Sequence, residues 1–82
     1  MAEKPAIELM TRPGCCLCDQ AAALLRTVDP QAEWPLRSVD IRQSIEHLER
    51  YATRIPVLRR EDTGAELDWP FDQQALQRFL EQ

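Results

Sequence analysis

Residues 12–25 read RPGCCLCDQAAALL and contain all three cysteines of an 82-residue chain. The Pro-Gly pair at the start interrupts regular structure. From Cys16 onward, apolar residues recur three and four positions apart, which predicts an amphipathic helix that ends before Asp29-Pro30. The stretch therefore predicts a loop that enters a helix, with the cysteines at the first turn. The predicted apolar stripe consists of Leu17, Ala21, Leu24 and Val28.

The segments on either side complete an alternating pattern of strands and helices. Short alternating or apolar runs predict strands, and runs with helical spacing predict helices. The order β-α-β-α-β-β-α predicts an α/β fold with a four-stranded mixed sheet flanked by three helices, because a strand-helix-strand unit makes a parallel crossover and the late hairpin adds an antiparallel pair. The predicted strands are residues 6–11, 36–40, 55–58 and 66–69, and the helices are residues 16–28, 42–52 and a last one capped by Asp72.

The two later helices each have a predicted buried face. Residues 59–64 are polar and contain an Asp-Thr-Gly turn at 62–64, and residues 59–62 are predicted to form a solvated hairpin tip. The second helix is predicted to bury Ile41, Ile45, Leu48 and Ala52, and the last helix to bury Ala75, Leu76, Phe79 and Leu80.

Length and charge narrow the class of protein. Eighty-two residues predict a single domain spanning residues 1–82, and a formal net charge of −4 without a basic patch argues against nucleic acid as a partner. No apolar run is long enough to span a membrane, and the N-terminus has no signal-peptide core, so a cytoplasmic location is expected. In a reducing cytoplasm, clustered cysteines indicate redox chemistry or metal binding.

Cys15 and Cys18 form a C-x-x-C pair at the predicted start of the first helix. The unpaired amides there carry a partial positive charge that favours the thiolate, which is the nucleophilic form of cysteine. Arg12 adds a full positive charge nearby, whereas Asp19 in the first turn acts in the opposite direction. Cys15 is therefore the expected attacking sulfur, and Cys18, one turn inward, the sulfur that resolves the mixed disulfide.

Two segments resemble the glutaredoxins. Residues 11–18, TRPGCCLC, resemble their active-site loop, and residues 54–58, RIPVL, resemble their Thr-Val-Pro stretch. The chain is most similar to small bacterial glutaredoxin-like proteins that share RIPVL and WPFD, here residues 69–72. The resemblance implies a thioredoxin-like fold, a cis Ile55-Pro56 bond beside the nucleophile, and a thiol–disulfide oxidoreductase with a dithiol mechanism.

The resemblance also implies how a substrate is held. The backbone N–H and carbonyl of Ile55, next to Pro56, would pair with an extended disulfide substrate, and Arg12 and Arg54 would bind a carboxylate. The expected partner is a disulfide-containing protein or a low-molecular-weight thiol, with no bound cofactor and a monomeric state. Glutathione is the family's usual reductant, but the glycines that contact it would fall near Asp68 and Trp69 in this sequence.

Two other functions use the same thiols. The three cysteines could bind Cu(I), zinc with an outside ligand, or an iron–sulfur cluster in a dimer, although His47 is the sole histidine and is expected far from them. The domain could instead be an interaction module with vestigial redox activity. Cys16 is either a spare thiol, a third reactive thiol or an alternative pairing partner.

Overall fold

The computed structural model describes residues 4–82 as a single sheet with helices on both faces. The predicted domain of residues 1–82 includes residues 1–3, which lie outside the described residues. The strands are β1 (Ile7–Thr11), β2 (Leu36–Asp40), β3 (Val57–Arg60) and β4 (Glu66–Asp68), and the helices are α1 (Cys16–Val28), α2 (Ile45–Tyr51) and α3 (Gln73–Glu81), with a 3₁₀ turn at Ile41–Gln43 before α2.

The strand order in the sheet is β2-β1-β3-β4. β1 and β2 are parallel, β3 is antiparallel to β1, and β4 is antiparallel to β3. This arrangement confirms the predicted four-stranded mixed sheet and the order β-α-β-α-β-β-α. The carboxyl ends of β1 and β2 lie at the same border of the sheet, where Thr11 is paired with Asp40.

Alternation along β1 and β3 divides the core between the two faces of the sheet. Leu9 and its cross-strand partner Leu58 belong to the larger cluster, which α1 and α3 cover. Met10 and its partner Val57 belong to the smaller cluster on the opposite face, together with Tyr51 of α2. Successive side chains of a strand point to opposite faces, so β1 and β3 supply both cores.

The face that α1 buries is offset by one position from the predicted stripe at two places, residues 18 and 25. Cys18, Ala21 and Leu25 are the buried residues of α1, whereas Leu17 is 44% exposed. The helix begins at Cys16 and is capped by Cys15, which places Cys18 over the sheet and turns Leu17 outward. The prediction that Leu17 belongs to the core is therefore wrong, and the third cysteine, Cys18, belongs to the core instead.

The predicted buried face of the second helix is wrong at three of its four positions, whereas Ile41 is buried as predicted, at 1% exposed. Ile45 is 77% exposed, Leu48 is 37% exposed and Ala52 is exposed, whereas Tyr51 is completely buried. The cause is a break at Ser44, whose extended backbone separates the 3₁₀ turn from α2 and whose hydroxyl accepts a hydrogen bond from the His47 N–H at 3.3 Å. This cap starts the helix three residues later than predicted and changes which side chains face the sheet.

Arg60 lies inside the protein rather than at a solvated hairpin tip. Its side chain is 6% exposed and binds the Asp62 carboxylate at 2.7 Å. It also donates to the carbonyl oxygens of Phe79 and Gln82, at 3.1 and 2.6 Å. The last carbonyls of a helix lack partners within the helix, so the Arg60 guanidinium joins β3 to the end of α3.

The last helix agrees with the sequence prediction. The Asp72 carboxylate accepts a hydrogen bond from the Ala75 N–H at 2.7 Å, which confirms the predicted cap. Leu76 and Phe79 are buried, and Ala75 and Leu80 pack against the same cluster. Among residues 4–82, no helix is long and apolar enough to cross a membrane.

Candidate active site

A tight turn delivers the chain from β1 to α1. The Cys15 N–H donates to the Arg12 carbonyl at 3.3 Å, and Gly14 has a φ of +81°. Proline at the second position and a positive φ at the third are typical of a type II turn, which needs glycine there. The Arg-Pro-Gly sequence therefore fixes the position of Cys15 at the mouth of the helix.

Cys15 and Cys18 are joined by a disulfide, with their Cα atoms 5.3 Å apart. The Cys15 sulfur also accepts a hydrogen bond from the Cys18 N–H at 3.2 Å, as a helix-capping side chain does. Cys15 is partly exposed, Cys18 is 3% exposed, and Cys16 is an exposed free thiol. The outer sulfur of the pair is accessible to a reactant, and the inner one lies beneath it in the core.

Cys15 and Cys16 open onto a groove of about 600 Å³. Its walls come from the turn before α1, from the first turn of that helix and from the segment that follows α2. Most of the lining side chains are apolar or cationic. The residues that complete the lining are Arg12, Pro13, Gly14, Leu17, Arg42, Ala52, Thr53 and Ile55.

The parallel pairing of β1 and β2 explains why Arg12 and Arg42 line the same groove. Each arginine follows the end of one of these strands, so both lie at the same border of the sheet. Arg42 is held by the Asp40 carboxylate at 3.0 Å, which lowers the pKa of Asp40 through hydrogen bonds from the Arg42 side chain and backbone. Among the described residues, no carboxylate lies within 4 Å of the Arg12 side-chain nitrogens.

The sequence prediction identified Arg12 at this groove but missed Arg42, Leu17, Ala52 and Thr53. Arg42 carried a usable signal, because it comes shortly after a strand that is parallel to β1. Ala52 and Thr53 directly precede the RIPVL segment, so their position could also have been inferred from the order of motifs. Leu17 was assigned to the core by its spacing.

Ile55 lines the groove, and Pro56 lies buried behind it. The Ile55-Pro56 peptide bond is cis, as the resemblance implied, and so is Trp69-Pro70. The Ile55 N–H already donates to the Tyr51 carbonyl at 3.1 Å, at the end of α2. This N–H therefore already has a partner within the protein, since the unpaired carbonyls at a helix end attract nearby donors, and the expectation that the Ile55 backbone binds a substrate stays a prediction.

Arg54 is engaged by the sheet and does not line the groove. Its guanidinium binds both Asp68 oxygens, at 2.8 and 2.9 Å, and one Glu66 oxygen at 2.8 Å. It also lies over the Tyr51 ring, 5.3 Å from the centroid. The expectation of a free substrate-binding arginine at this position is not met, because two carboxylates of β4 already satisfy it.

These contacts shift the pKa values of Glu66, Asp68 and Tyr51. Burial raises the pKa of Glu66, but hydrogen bonds from Tyr51 and Arg54 outweigh it, and the net pKa lies below the ordinary value. The Arg54 side chain lowers the pKa of Asp68 in the same way. Burial and the hydrogen bond to Glu66 raise the pKa of Tyr51, whose hydroxyl donates to the carboxylate at 2.5 Å.

The described residues offer neither a second thiol-lined groove nor a cluster suited to a metal ion. A hollow of about 670 Å³ lies beyond the far end of α1, where its lining includes Trp34 and Arg60 but no thiol. Within residues 4–82, no group of three or more histidine, cysteine, aspartate or glutamate side chains is arranged to hold a metal ion. His47 packs against Tyr51, with ring centroids 5.8 Å apart.

Comparisons with known proteins agree with this architecture. The family model described as "Glutaredoxin-like domain (DUF836)" matches residues 6–81. The crystal structure of the structural-genomics target protein XcR50 from X. campestris is 38% identical, covers 93% of this chain and 96% of its own, and superimposes with a TM-score of 0.81.

A second solved structure supports the fold alone. Protein Ne2328 from Nitrosomonas europaea is 24% identical, covers 96% of this chain and 94% of its own, and has a TM-score of 0.82. No curated protein matches the sequence significantly. Together the fold neighbours confirm a thioredoxin-like α/β fold.

Proposed function

The chain belongs to the glutaredoxin-like domain family, and from that membership we propose that it is a thiol–disulfide oxidoreductase that works through Cys15 and Cys18. One observation carries the proposal. The two sulfurs are close enough to form a bond, and of the two residues only Cys15 lines the groove. A nucleophile that can be reached from solvent and a partner that is sheltered from it are what a two-step exchange requires.

In the first step, the Cys15 thiolate attacks one sulfur of a substrate disulfide. A new bond forms between Cys15 and that sulfur, the substrate's own S–S bond breaks, and the second sulfur leaves as a thiolate that takes up a proton. The Cys18 N–H, 3.2 Å from the Cys15 sulfur, is placed to stabilise the reacting anion. An amide at the start of a helix that points at a sulfur stabilises the negative charge of the thiolate, which is the reactive form.

In the second step, the Cys18 thiolate attacks the Cys15 sulfur. The Cys15–Cys18 bond forms, the mixed disulfide breaks, and the remaining substrate sulfur leaves as a thiol after protonation. The substrate has then gained two electrons and two protons, and the protein has lost them. A low-molecular-weight thiol such as glutathione, or a dithiol reductase, returns the protein to the reduced state, and the reaction needs no bound cofactor.

The residues around the pair have different roles in this proposal. Arg12 and Ile55 contact the substrate, because both line the groove beside Cys15. Pro56 and Arg54 act indirectly by fixing the segment on which Ile55 lies. We further propose that the protein acts as a monomer in the cytoplasm, where reducing conditions keep the dithiol form available.

The decisive experiment follows single turnovers of the reduced protein with a small disulfide, bis(2-hydroxyethyl) disulfide. We expect Cys15→Ser to abolish turnover and Cys18→Ser to stop at a mixed disulfide, seen by mass spectrometry as one half of the substrate attached to Cys15. Cys16→Ser serves as the matched control and keeps turnover. Peptide mapping of oxidised protein should place the bridge between Cys15 and Cys18. Full turnover by Cys15→Ser, or a bridge that involves Cys16, would overturn the mechanism.

A further inference from the structure

One side of α2 exposes apolar residues that the fold does not use. Ile45 is 77% exposed, Leu48 is 37% exposed, and Ala52, which follows the helix, is also exposed. Residues three and seven positions apart lie on the same side of a helix. We call this surface, composed of Ile45, Leu48 and Ala52, the α2 apolar face.

The α2 apolar face is continuous with the cysteine groove. Ala52 belongs to both, and Leu17, which is 44% exposed, lines the groove beside Cys15. Within residues 4–82, the exposed large apolar side chains are Leu17, Ile45 and Leu48, and all three belong to this groove or to the face that adjoins it. A concentration of large exposed apolar side chains in one place is typical of a binding surface.

The charge of the groove is opposite to that of the chain. The protein has a formal net charge of −4, yet the groove lining contains two arginines and no carboxylate. Asp40 already neutralises Arg42, so Arg12 is the cation that remains for a partner. A negatively charged group on the partner is the natural complement to that position.

We propose that the substrate is a disulfide in a protein, presented on an extended segment with an apolar side chain next to the cystine and an acidic side chain close by. The apolar side chain packs on the α2 apolar face, and the acidic one faces Arg12. This inference rests on the proposed function, since it names the substrate class of the same site. A small disulfide needs only Cys15, whereas a seven-residue helix is about 10 Å long and offers contacts that only a larger partner can reach.

Side-chain contacts matter more here because one backbone contact is already used. The Ile55 N–H is bonded to the Tyr51 carbonyl, so a partner segment cannot pair with that amide as an added strand would. Burying an aliphatic side chain on an exposed apolar surface changes affinity by about tenfold. Recognition by the α2 apolar face is therefore expected to appear as a preference of that size.

The test uses two synthetic peptides, each closed by one disulfide. The first carries leucine and glutamate beside the cystine, and the second carries serine and lysine at the same places. Bis(2-hydroxyethyl) disulfide is the small reference substrate. We expect the wild-type protein to reduce the first peptide with a kcat/KM about tenfold higher than the second, and Arg12→Gln to reduce that preference.

The double variant Ile45→Ser/Leu48→Ser isolates the surface. Its kcat/KM for the first peptide, divided by its kcat/KM for the small disulfide, should fall about tenfold from the wild-type ratio. The ratio is internal to each protein preparation, so a change in the folded fraction does not affect it. Ala23→Ser, at an exposed position on α1, is the matched control and should keep the wild-type ratio.

The outcomes separate this inference from the proposed function. Equal reduction of the two peptides by the wild-type protein, or an unchanged ratio in the double variant, overturns the inference while reduction of the small disulfide still supports the oxidoreductase. Failure of the wild-type protein to reduce any of the three disulfides overturns the proposed function itself. A tenfold preference that the double variant loses supports both.

Discussion

The ion pairs of Arg54 allow a stability prediction with a defined pH dependence. Arg54→Met keeps most of the side-chain length and removes three charge-assisted hydrogen bonds, two to Asp68 and one to Glu66. The side chain of Arg54 is 32% exposed, that of Glu66 is 15% exposed and that of Asp68 is 46% exposed, so the expected loss lies between the values for surface and buried ion pairs. Exposed ion pairs contribute about 0–1 kcal/mol, and loss of one partner from a buried pair costs about 3–5 kcal/mol.

We therefore expect Arg54→Met to lower the free energy of unfolding at pH 7 by about 1–3 kcal/mol. For a domain of this size, each kcal/mol corresponds to roughly 4–8 °C in Tm. Urea unfolding followed by tryptophan fluorescence measures the difference. The matched control is Arg37→Met, whose pair with Glu61 at 3.3 Å is much more exposed, at 66% for the arginine side chain. That variant should lose less than about 0.5 kcal/mol.

The pH dependence has a definite sign. The folded protein lowers the pKa of Glu66 and of Asp68 from their ordinary values of 4.5 and 3.8. Their stabilising effect is thus complete above those ordinary values and disappears as the pH falls through the lower, folded values. The gap between wild type and Arg54→Met should be constant from pH 7 to pH 5 and should shrink below about pH 4. Equal losses in the two arginine variants, or a gap of the same size in acid, would refute the reasoning.

Three further predictions concern single groups. Asp29 is 8% exposed, and its carboxylate accepts backbone hydrogen bonds at 3.0 and 2.8 Å. Asp29→Ala should therefore lower the free energy of unfolding in urea by about 1–3 kcal/mol. A loss smaller than that of Arg37→Met would contradict this prediction. Gly14 has a φ of +81° and open space around it, so Gly14→Ala should lower the free energy of unfolding by about 1 kcal/mol because of its backbone conformation and not because of a steric clash. An unchanged free energy of unfolding would show that the turn does not require this conformation. Tyr51 is the sole tyrosine, so tyrosinate absorbance should report a pKa above 10.0 that Glu66→Gln lowers; a titration at or below 10.0 would count against its buried hydrogen bond.

The parts of the fold that the sequence predicted are those with strong local signals. The Pro-Gly break before the cysteines, the bounds of α1 and the Asp72 cap each depend on a few neighbouring residues, and each has the predicted position. The same holds for the cysteine pair, because a C-x-x-C at the start of a helix places two sulfurs one turn apart.

The wrong predictions concern residues whose burial and partners depend on contacts distant in the sequence. The periodicity of residues 41–52 suggested a continuous helix, but the Ser44 cap divides it. The buried position goes to Tyr51, which packs in the smaller core cluster and donates its hydroxyl to Glu66 on β4. Arg54 was predicted to be a free cation, but in the structure it binds the two β4 carboxylates, Glu66 and Asp68. A local pattern cannot reveal a partner 12 or 14 residues away on another strand. Arg60 is a similar case, since the carbonyls that bury it belong to the last helix.

The edge strands of the sheet affect how readily the protein aggregates at high concentration. β2 and β4 are the two edge strands, and both are short, at five and three residues. Charged side chains lie along them, with Arg37 and Asp40 on one and Glu66 and Asp68 on the other. Short, charged edge strands make it unfavourable for another chain to pair with them and extend the sheet into fibrils. A concentrated preparation should therefore resist filament growth, as measured by thioflavin fluorescence, whichever oxidation state the cysteines occupy.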